Sequence, residues 1–232
     1  MAAIIHSIFD GIAPHRCVVC GAALAQGEQV MCLKCDLEAP RTMLHRNPEF
    51  NEIHKRLGRT AMPIDKAMAW LYYYSSGPYA DIVRRAKYSD RPALARKAGR
   101  IYGAELAAAA VIVDIDVLLP VPMHWLKRLR RGYNQAEEVA RGIADATGIP
   151  VGHNLVARRG HSTQTHLSQS ERAANITGRF GVADAGDLQG LNVAVVDDII
   201  TTGATMIEAA RALAGASVAS LSLLSLGLAH LR

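Results

Sequence analysis

One segment of the chain, residues 193–205, concentrates side chains that could bind a sugar phosphate. It begins with four apolar residues typical of a buried strand, and Asp197 and Asp198 follow directly. Open α/β sheets bind ligands at the carboxyl ends of their strands. Adjacent carboxylates suit the vicinal hydroxyls of a ribose, either directly or through Mg²⁺. The sequence therefore predicts a ribose-binding site at these two residues.

The rest of this segment predicts an anion site. Five residues, which we call the phosphate loop, lead from the strand into a predicted helix: Thr201, Thr202, Gly203, Ala204 and Thr205. Unpaired amides at the start of a helix attract anions, the threonines add hydroxyl donors, and Gly203 allows a sharp turn close to a ligand. An ordinary helix cap explains a single Asp or Thr, but not two acids and three threonines around one glycine.

Two further segments supply cations that suit a pyrophosphate group. One follows a predicted strand and a Pro-Val-Pro sequence, and its cations are Lys127, Arg128, Arg130 and Arg131. An isolated basic run is more commonly a solvated face, but its position after a strand of the same sheet favours an anion site.

The second segment is the polar stretch 159–178, which is long for a connection and predicts a lid that excludes water. Arg158, Arg159 and Arg172 would close over the leaving group.

The four cysteines form two C-x-x-C pairs near the start of the chain: Cys17, Cys20, Cys32 and Cys35. Four thiolates at this spacing can complete a tetrahedral Zn²⁺ site. Two disulfides or a redox pair are the alternatives, but no secretory signal is evident and structural disulfides are rare inside cells. We therefore predict a structural zinc site, because so short a segment cannot bury enough apolar surface to fold without a metal.

The composition is that of a globular α/β protein with anionic partners. The chain has 232 residues, of which 50% are hydrophobic and 20% charged, and a formal net charge of +5. A basic excess favours phosphates, nucleotides or nucleic acid, but aromatic residues are only 5% of the chain, which weakens base stacking as a mode of DNA binding. The apolar C-terminal stretch is interrupted by glycines and serines, so we expect no membrane insertion and a cytoplasmic protein.

Alternating apolar patterns predict an α/β fold. Strands are expected at residues 67–74, 112–119, 151–158, 191–196 and 217–228, and helices at 51–58, 79–87, 93–110, 134–147 and 204–214. Such alternation predicts a parallel sheet with helices on both faces. We divide the chain into a zinc ribbon at 1–40, a helical linker at 41–65, and a sheet domain at 66–232.

Residues 193–205 resemble the signature of type I phosphoribosyltransferases, which transfer ribose 5-phosphate from phosphoribosyl pyrophosphate to a nitrogen nucleophile. The resemblance implies that Asp197 and Asp198 hold the ribose hydroxyls and that the phosphate loop holds the 5-phosphate. Thr201 stands where purine salvage members carry an Asp that helps to activate the purine. This difference argues against purine salvage.

The order of several segments resembles one family within that superfamily. Pro-Val-Pro at 120–122, Arg-Gly-Tyr-Asn-Gln at 131–135, and the phosphate loop follow one another as in the ComF family, and Arg-Ala-Lys-Tyr at 85–88 resembles its Leu-Lys-Tyr element. The resemblance implies a type I phosphoribosyltransferase-like parallel sheet with a small N-terminal zinc ribbon. It also implies a link to natural competence and the uptake of single-stranded DNA.

Two hypotheses about function follow. The first is a Mg²⁺-dependent phosphoribosyltransferase with an unknown acceptor; no strong general base is evident, so an already reactive nucleophile such as an amine is expected. The second is a non-catalytic module that binds a phosphoribosyl group, while its zinc ribbon docks single-stranded DNA or a protein partner such as a competence protein.

Overall fold

The structure is a computed structural model that describes residues 16–88, 92–123, 128–129, 131–158 and 178–230. Its elements, in chain order, are α1 (Leu33–Leu37), a 3₁₀ turn (Leu44–Arg46), α2 (Glu52–Leu57), β1 (Lys66–Tyr73), α3 (Ala80–Tyr88), α4 (Pro92–Ala108), β2 (Val117–Pro120), α5 (Gln135–Thr147), β3 (Leu155–Ala157), β4 (Phe180–Val182), a second 3₁₀ turn (Ala185–Leu188), β5 (Asn192–Ile200), α6 (Ala204–Leu213) and β6 (Ser220–Ala229). None of the helices in these ranges is long and apolar enough to cross a membrane.

The main sheet has four parallel strands in the order β1-β6-β5-β2. Alternate residues of each strand enter two separate apolar cores. Met68 and Trp70 of β1 belong to one core, which also contains residues of α3, α4 and α5. Ala67 and Ala69 belong to the other, which contains residues of α2 and α6. The predicted parallel sheet with helices on both faces is therefore confirmed.

The structure differs from the sequence-based elements in two places at the sheet. The apolar run 112–119 is a strand only from Val117, because Ile112 and Ile115 are buried in a turn that follows α4. The strand predicted to end at Val196 continues to Ile200, since it pairs with β6 up to that residue. Both acids therefore lie within β5 and not in a loop after it.

A small antiparallel pair lies outside the main sheet. The strand predicted at 151–158 is shorter, Leu155–Ala157, and it pairs with β4. β4 has only three residues, one of which is Gly181, so no alternating apolar pattern in the sequence predicts this strand. Most of the predicted lid, residues 159–177, lies outside the described part of the chain.

The cysteine-bearing segment packs directly on the sheet domain. Val30 and Met31, between the two cysteine pairs, are buried in the same core as Trp70. Arg41 donates to the carboxylates of Asp36 at 2.8 Å and Glu105 at 2.7 Å, and its guanidinium lies 5.2 Å from the centroid of the Trp70 ring. These contacts join the segment to β1 and α4 through both apolar and charged groups.

Candidate functional site

The carboxyl ends of four parallel strands form one edge of the sheet. β2 pairs directly with β5, and the Val121 N–H just after β2 donates to the Val196 carbonyl at 2.8 Å. The basic run follows β2, and the phosphate loop follows β5. The two predicted anion-binding segments therefore begin at the ends of neighbouring strands.

Asp197 and Asp198 are half-buried at this edge. The Asp198 N–H donates to Asp197 Oδ1 at 2.8 Å, which fixes one carboxylate against the backbone. Asp197 is paired in register with Ser225 of β6, whose side chain is buried. A strand that pairs with β6 through this region, and with β2 up to Val196, thus positions the two acids.

The phosphate loop turns into α6 at Gly203, which has a φ of +83°. Gly203 provides no side-chain cap, and the first turn of α6 has no acidic residue, so the positive end of the helix dipole is not opposed there by a local carboxylate. Thr201 and Thr202 are exposed, and the Thr202 hydroxyl accepts from the Ala204 N–H at 3.4 Å. A helix start of this kind can donate hydrogen bonds from its N–H groups to an anion.

Three of the seven predicted pyrophosphate-binding cations are described by the structure. Arg128 is exposed, whereas Arg131 is half-buried and donates to the Gln135 side chain at 2.9 Å. Arg158 is exposed at the end of β3. Its side chain lies close to Gly181, because a Cβ added to that glycine would be 2.8 Å from the Arg158 Nε. The other four lie outside the described residues: Lys127, Arg130, Arg159 and Arg172.

The segment 131–135 has an architectural role that the sequence did not reveal. The Tyr133 hydroxyl and the Gln135 side-chain amide both donate to the carbonyl of Ala86 in α3. Asn134 caps α5, and its amide donates to the Val121 carbonyl at 2.9 Å. Two segments that carry the family resemblance therefore meet, and Asn134 holds the start of α5 against the end of β2.

A second group of polar contacts, around α2, was also missed. Arg56 donates to the Thr201 carbonyl of the phosphate loop. One turn earlier, Glu52 accepts from the Tyr72 hydroxyl at 2.6 Å, and this hydrogen bond, together with burial, raises the pKa of Tyr72 to about 12. A helix predicted only as part of a linker therefore reaches the candidate site.

The cysteine sulfurs form a possible metal centre. The four Sγ atoms lie within 4.8 Å of one another, and those of Cys20 and Cys32 are 3.7 Å apart. Tetrahedral Zn²⁺ with Zn–S bonds of about 2.3 Å requires sulfur separations of about 3.8 Å, so the cluster fits that ion with little rearrangement. Cys17 and Cys35 are buried, whereas Cys20 is exposed, so the centre lies at the surface of the core.

The surroundings of the cysteines shift the pKa values of two thiols in opposite directions. Burial raises the pKa of the Cys17 thiol, but backbone N–H groups, chiefly that of Cys20, lower it to about 6. Burial, together with hydrogen bonding to the thiols of Cys20 and Cys32, raises the pKa of Cys35. Glu28 braces the cluster by accepting from the Leu33 N–H at 2.7 Å. The four residues could bind a metal such as zinc, which would replace the thiol protons.

Comparison with known proteins agrees with this geometry. The family model described as phosphoribosyl transferase domain matches residues 128–231. Competence protein F of Haemophilus influenzae is 36% identical over 100 residues, and DNA utilization protein YhgH of Salmonella typhi is 27% identical over 212 residues. These matches support a ComF-family protein with a type I phosphoribosyltransferase-like fold.

The extent of these matches differs among the relatives. The alignment covers 42% of this chain and 44% of the Haemophilus protein, but 86% of this chain and 91% of the Salmonella protein. The chain thus spans less than half the length of the Haemophilus relative. Among solved structures, glutamine phosphoribosylpyrophosphate amidotransferase from B. subtilis is 26% identical with a TM-score of 0.39, covering 56% of this chain and 26% of that one.

Proposed function

We propose that this protein binds phosphoribosyl pyrophosphate with Mg²⁺ at the carboxyl edge of the main sheet. The phosphate loop is the observation that carries the proposal. Its glycine turn and the start of α6, where the N-cap Gly203 has no side chain, follow two carboxylates on a central strand. In phosphoribosyl pyrophosphate the 5-phosphate and the ribose belong to one molecule. The helix start offers hydrogen-bond donors for the phosphate, and the neighbouring carboxylates offer acceptors for the ribose hydroxyls.

Each part of the ligand has a chemically matched group of residues. Asp197 and Asp198 hold the ribose hydroxyls and one Mg²⁺, an ion that proteins commonly bind through one or two carboxylates plus substrate phosphates. The phosphate loop holds the 5-phosphate. The pyrophosphate is held by cations after β2 and β3, which are Lys127, Arg128, Arg130, Arg131, Arg158, Arg159 and Arg172.

The reaction proposed for this pocket is phosphoribosyl transfer to a nitrogen nucleophile. The bond between the anomeric carbon and pyrophosphate breaks, a carbon–nitrogen bond forms, and the nitrogen loses a proton to water. The chain contributes by holding both ends of the donor and by placing positive charge around the departing pyrophosphate. Thr201 offers no carboxylate to take a proton from the acceptor, so an amine that is nucleophilic without activation is the expected class.

Replacing both acids, as Asp197→Asn with Asp198→Asn, is expected to weaken phosphoribosyl pyrophosphate binding about a hundredfold or more. Hydrogen bonds to a charged group contribute about 1.5–3 kcal/mol each, and two of them are lost together with the Mg²⁺ ligands. Isothermal titration calorimetry with Mg²⁺ measures this change. The matched control is Asp187→Asn, because Asp187 is exposed just before β5 begins, at the other end of that strand.

Unchanged affinity in the double variant would refute the assignment of the pocket. Turnover is tested separately, by assaying pyrophosphate release from the wild-type protein in the presence of amines and nucleobases. Tight binding without release across the panel would favour the second hypothesis, a non-catalytic phosphoribosyl-binding module.

A role in handling single-stranded DNA is the second function we propose, and the names of the relatives favour it. One relative is called a competence protein and another a DNA utilization protein. The zinc ribbon, assigned to residues 1–40, and the basic surface would dock DNA or a competence protein in the cytoplasm. The segment 41–65 would then link the ribbon to the phosphoribosyltransferase-like domain, residues 66–232.

Direct DNA binding predicts a strongly salt-dependent affinity for a single-stranded oligonucleotide. Affinity is expected to fall as salt rises, with a logarithmic slope of about −0.7 for each phosphate neutralised. Fluorescence anisotropy of a labelled oligonucleotide across a salt series measures the slope, with Cys20→Ser showing whether an intact ribbon is needed. No binding at low salt would leave protein docking as the role of the ribbon.

A further inference from the structure

Helix α2 is held rigidly against the sheet although it has only six residues. Its N-cap, Asn51, is buried and accepts from the Ile53 N–H, while its side-chain amide donates to the Ala67 carbonyl of β1 at 2.8 Å. Ile53 and Leu57 are buried in the core formed by the strands and α6. A side chain projecting from this helix therefore starts from a fixed position.

Arg56 connects this helix to the candidate site. Its Nη1 donates to the Thr201 carbonyl at 2.9 Å and to the Ala229 carbonyl at 2.8 Å. Thr201 is the first residue of the phosphate loop, and Ala229 is the last residue of β6, the strand beside β5. One guanidinium nitrogen thus ties the loop to the end of the neighbouring strand.

The adjacent residue of α2 contacts the centre of the same loop. A Cβ added to Gly203 would lie 2.1 Å from the Leu57 Cδ2, so the leucine packs directly on the glycine backbone. Leu57 is itself buried. Two consecutive residues of α2 therefore restrain the phosphate loop at two points, one through a hydrogen bond and one through packing.

We propose that Arg56 is a positioning residue for the 5-phosphate subsite. It holds the phosphate loop in the shape in which the amides at the start of α6 converge on an anion. This inference rests on the proposed function, because it assumes that the loop binds a 5-phosphate. A loop that is already held in its binding shape loses less conformational entropy when the ligand arrives. The positive charge of Arg56 near the loop favours an anion further.

Nothing in the sequence joins Arg56 to the loop. The residue precedes Thr201 by 145 positions, lies in a segment assigned as a linker, and stands outside the matched domain, residues 128–231. The inference therefore extends the candidate site to a helix that the family model does not include.

The test compares Arg56→Ala, Arg56→Lys and Lys55→Ala with the wild-type protein. Lys55 lies on the same helix and carries the same charge, but it is exposed and its Nζ lies 5.7 Å from the Phe50 ring centroid. The ligands are ribose 5-phosphate, phosphoribosyl pyrophosphate and pyrophosphate, each titrated with Mg²⁺. Circular dichroism melting shows that each variant is folded.

Arg56→Ala is expected to weaken the binding of ribose 5-phosphate and of phosphoribosyl pyrophosphate by the same factor. The expected factor is about tenfold, which corresponds to about 1.4 kcal/mol. Pyrophosphate affinity stays within about twofold of wild type, because that group binds after β2 and not at this loop. Arg56→Lys recovers part of the loss, and Lys55→Ala has little effect. Equal losses in Arg56→Ala and Lys55→Ala, or an equal loss for pyrophosphate, would overturn the inference.

A ligand-free measurement separates this inference from the proposed function. If the wild-type protein binds none of the three ligands, the proposed function fails, but the positioning role is still tested by amide hydrogen exchange. Exchange at residues 201–206 is expected to quicken in Arg56→Ala and to stay unchanged in Lys55→Ala. Identical exchange in both variants would show that Arg56 does not hold the loop.

Discussion

Cys35→Ser is expected to abolish zinc binding by the cysteine cluster and to lower the melting temperature of the whole protein by about 8–16 °C. Loss of a structural metal is among the few changes that cost about 4 kcal/mol or more, and each kcal/mol shifts the midpoint by about 2–4 °C in a chain of this size. Metal content by mass spectrometry and differential scanning calorimetry measure the two effects together.

The effect is expected in the whole protein because the ribbon shares its core with the sheet. Cys35 is buried beside Val30 and Met31, and all three belong to the core that contains Trp70. The Tyr79 hydroxyl, in the segment before α3, also donates to the Cys35 carbonyl at 2.8 Å. When the metal is lost, the three remaining cysteines are no longer tied to one another, and the residues of the ribbon that cover the core around Trp70 can separate from it.

The matched control is Leu37→Ser, which introduces the same residue type on the same short helix. Leu37 is 77% exposed, so its replacement is expected to leave zinc content unchanged and to move the midpoint by no more than about 2 °C. Two outcomes would contradict the argument. One is full zinc content in Cys35→Ser, and the other is a separate early transition that leaves the main transition in place.

The fold and the local part of the candidate site could be predicted from the sequence because their signals are local. Five apolar runs alternating with amphipathic segments indicated the parallel sheet, and the phosphate loop follows its strand without interruption. The two cysteine pairs predicted their own cluster for the same reason, since the first pair is joined by a turn and the second lies at the start of α1. Gly21, in the first turn, has a φ of +77°, a conformation that most other residues avoid.

The contacts that the sequence did not reveal join residues far apart in the chain. Arg56 and Thr201 form such a pair, and so do β3 and β4 across the polar stretch. Gln135 shows a different limit: its polar side chain looks available for a ligand, but it is buried and donates to the Ala86 carbonyl. Residue type and spacing indicate which chemistry is available, whereas burial decides which groups remain for a ligand.

Gly142→Ala is the second change with a large expected effect, a loss of about 3 kcal/mol or more in the free energy of unfolding. A Cβ at this position of α5 would lie 2.0 Å from the Arg96 carbonyl oxygen and 2.7 Å from the Arg100 nitrogen, both in the backbone of α4. Overpacking of a core typically costs about 1–3 kcal/mol, and here the obstacle is a helix backbone that cannot rotate away. The gain of about 1 kcal/mol in helix propensity is smaller.

Urea unfolding of Gly142→Ala measures this loss, with Gly215→Ala as the control, because an added Cβ at Gly215 meets nothing within 4 Å. Equal stability of the two variants would show that α4 and α5 separate at little cost.

The close approach of the two helix backbones is mutual, since a Cβ at Gly99 of α4 would lie 2.3 Å from the Val139 carbonyl of α5. Because Asn134 holds the start of α5 to Val121 after β2, a shift of α5 also moves the backbone that carries the basic run. We therefore expect folded Gly142→Ala to bind pyrophosphate more weakly than Gly215→Ala does.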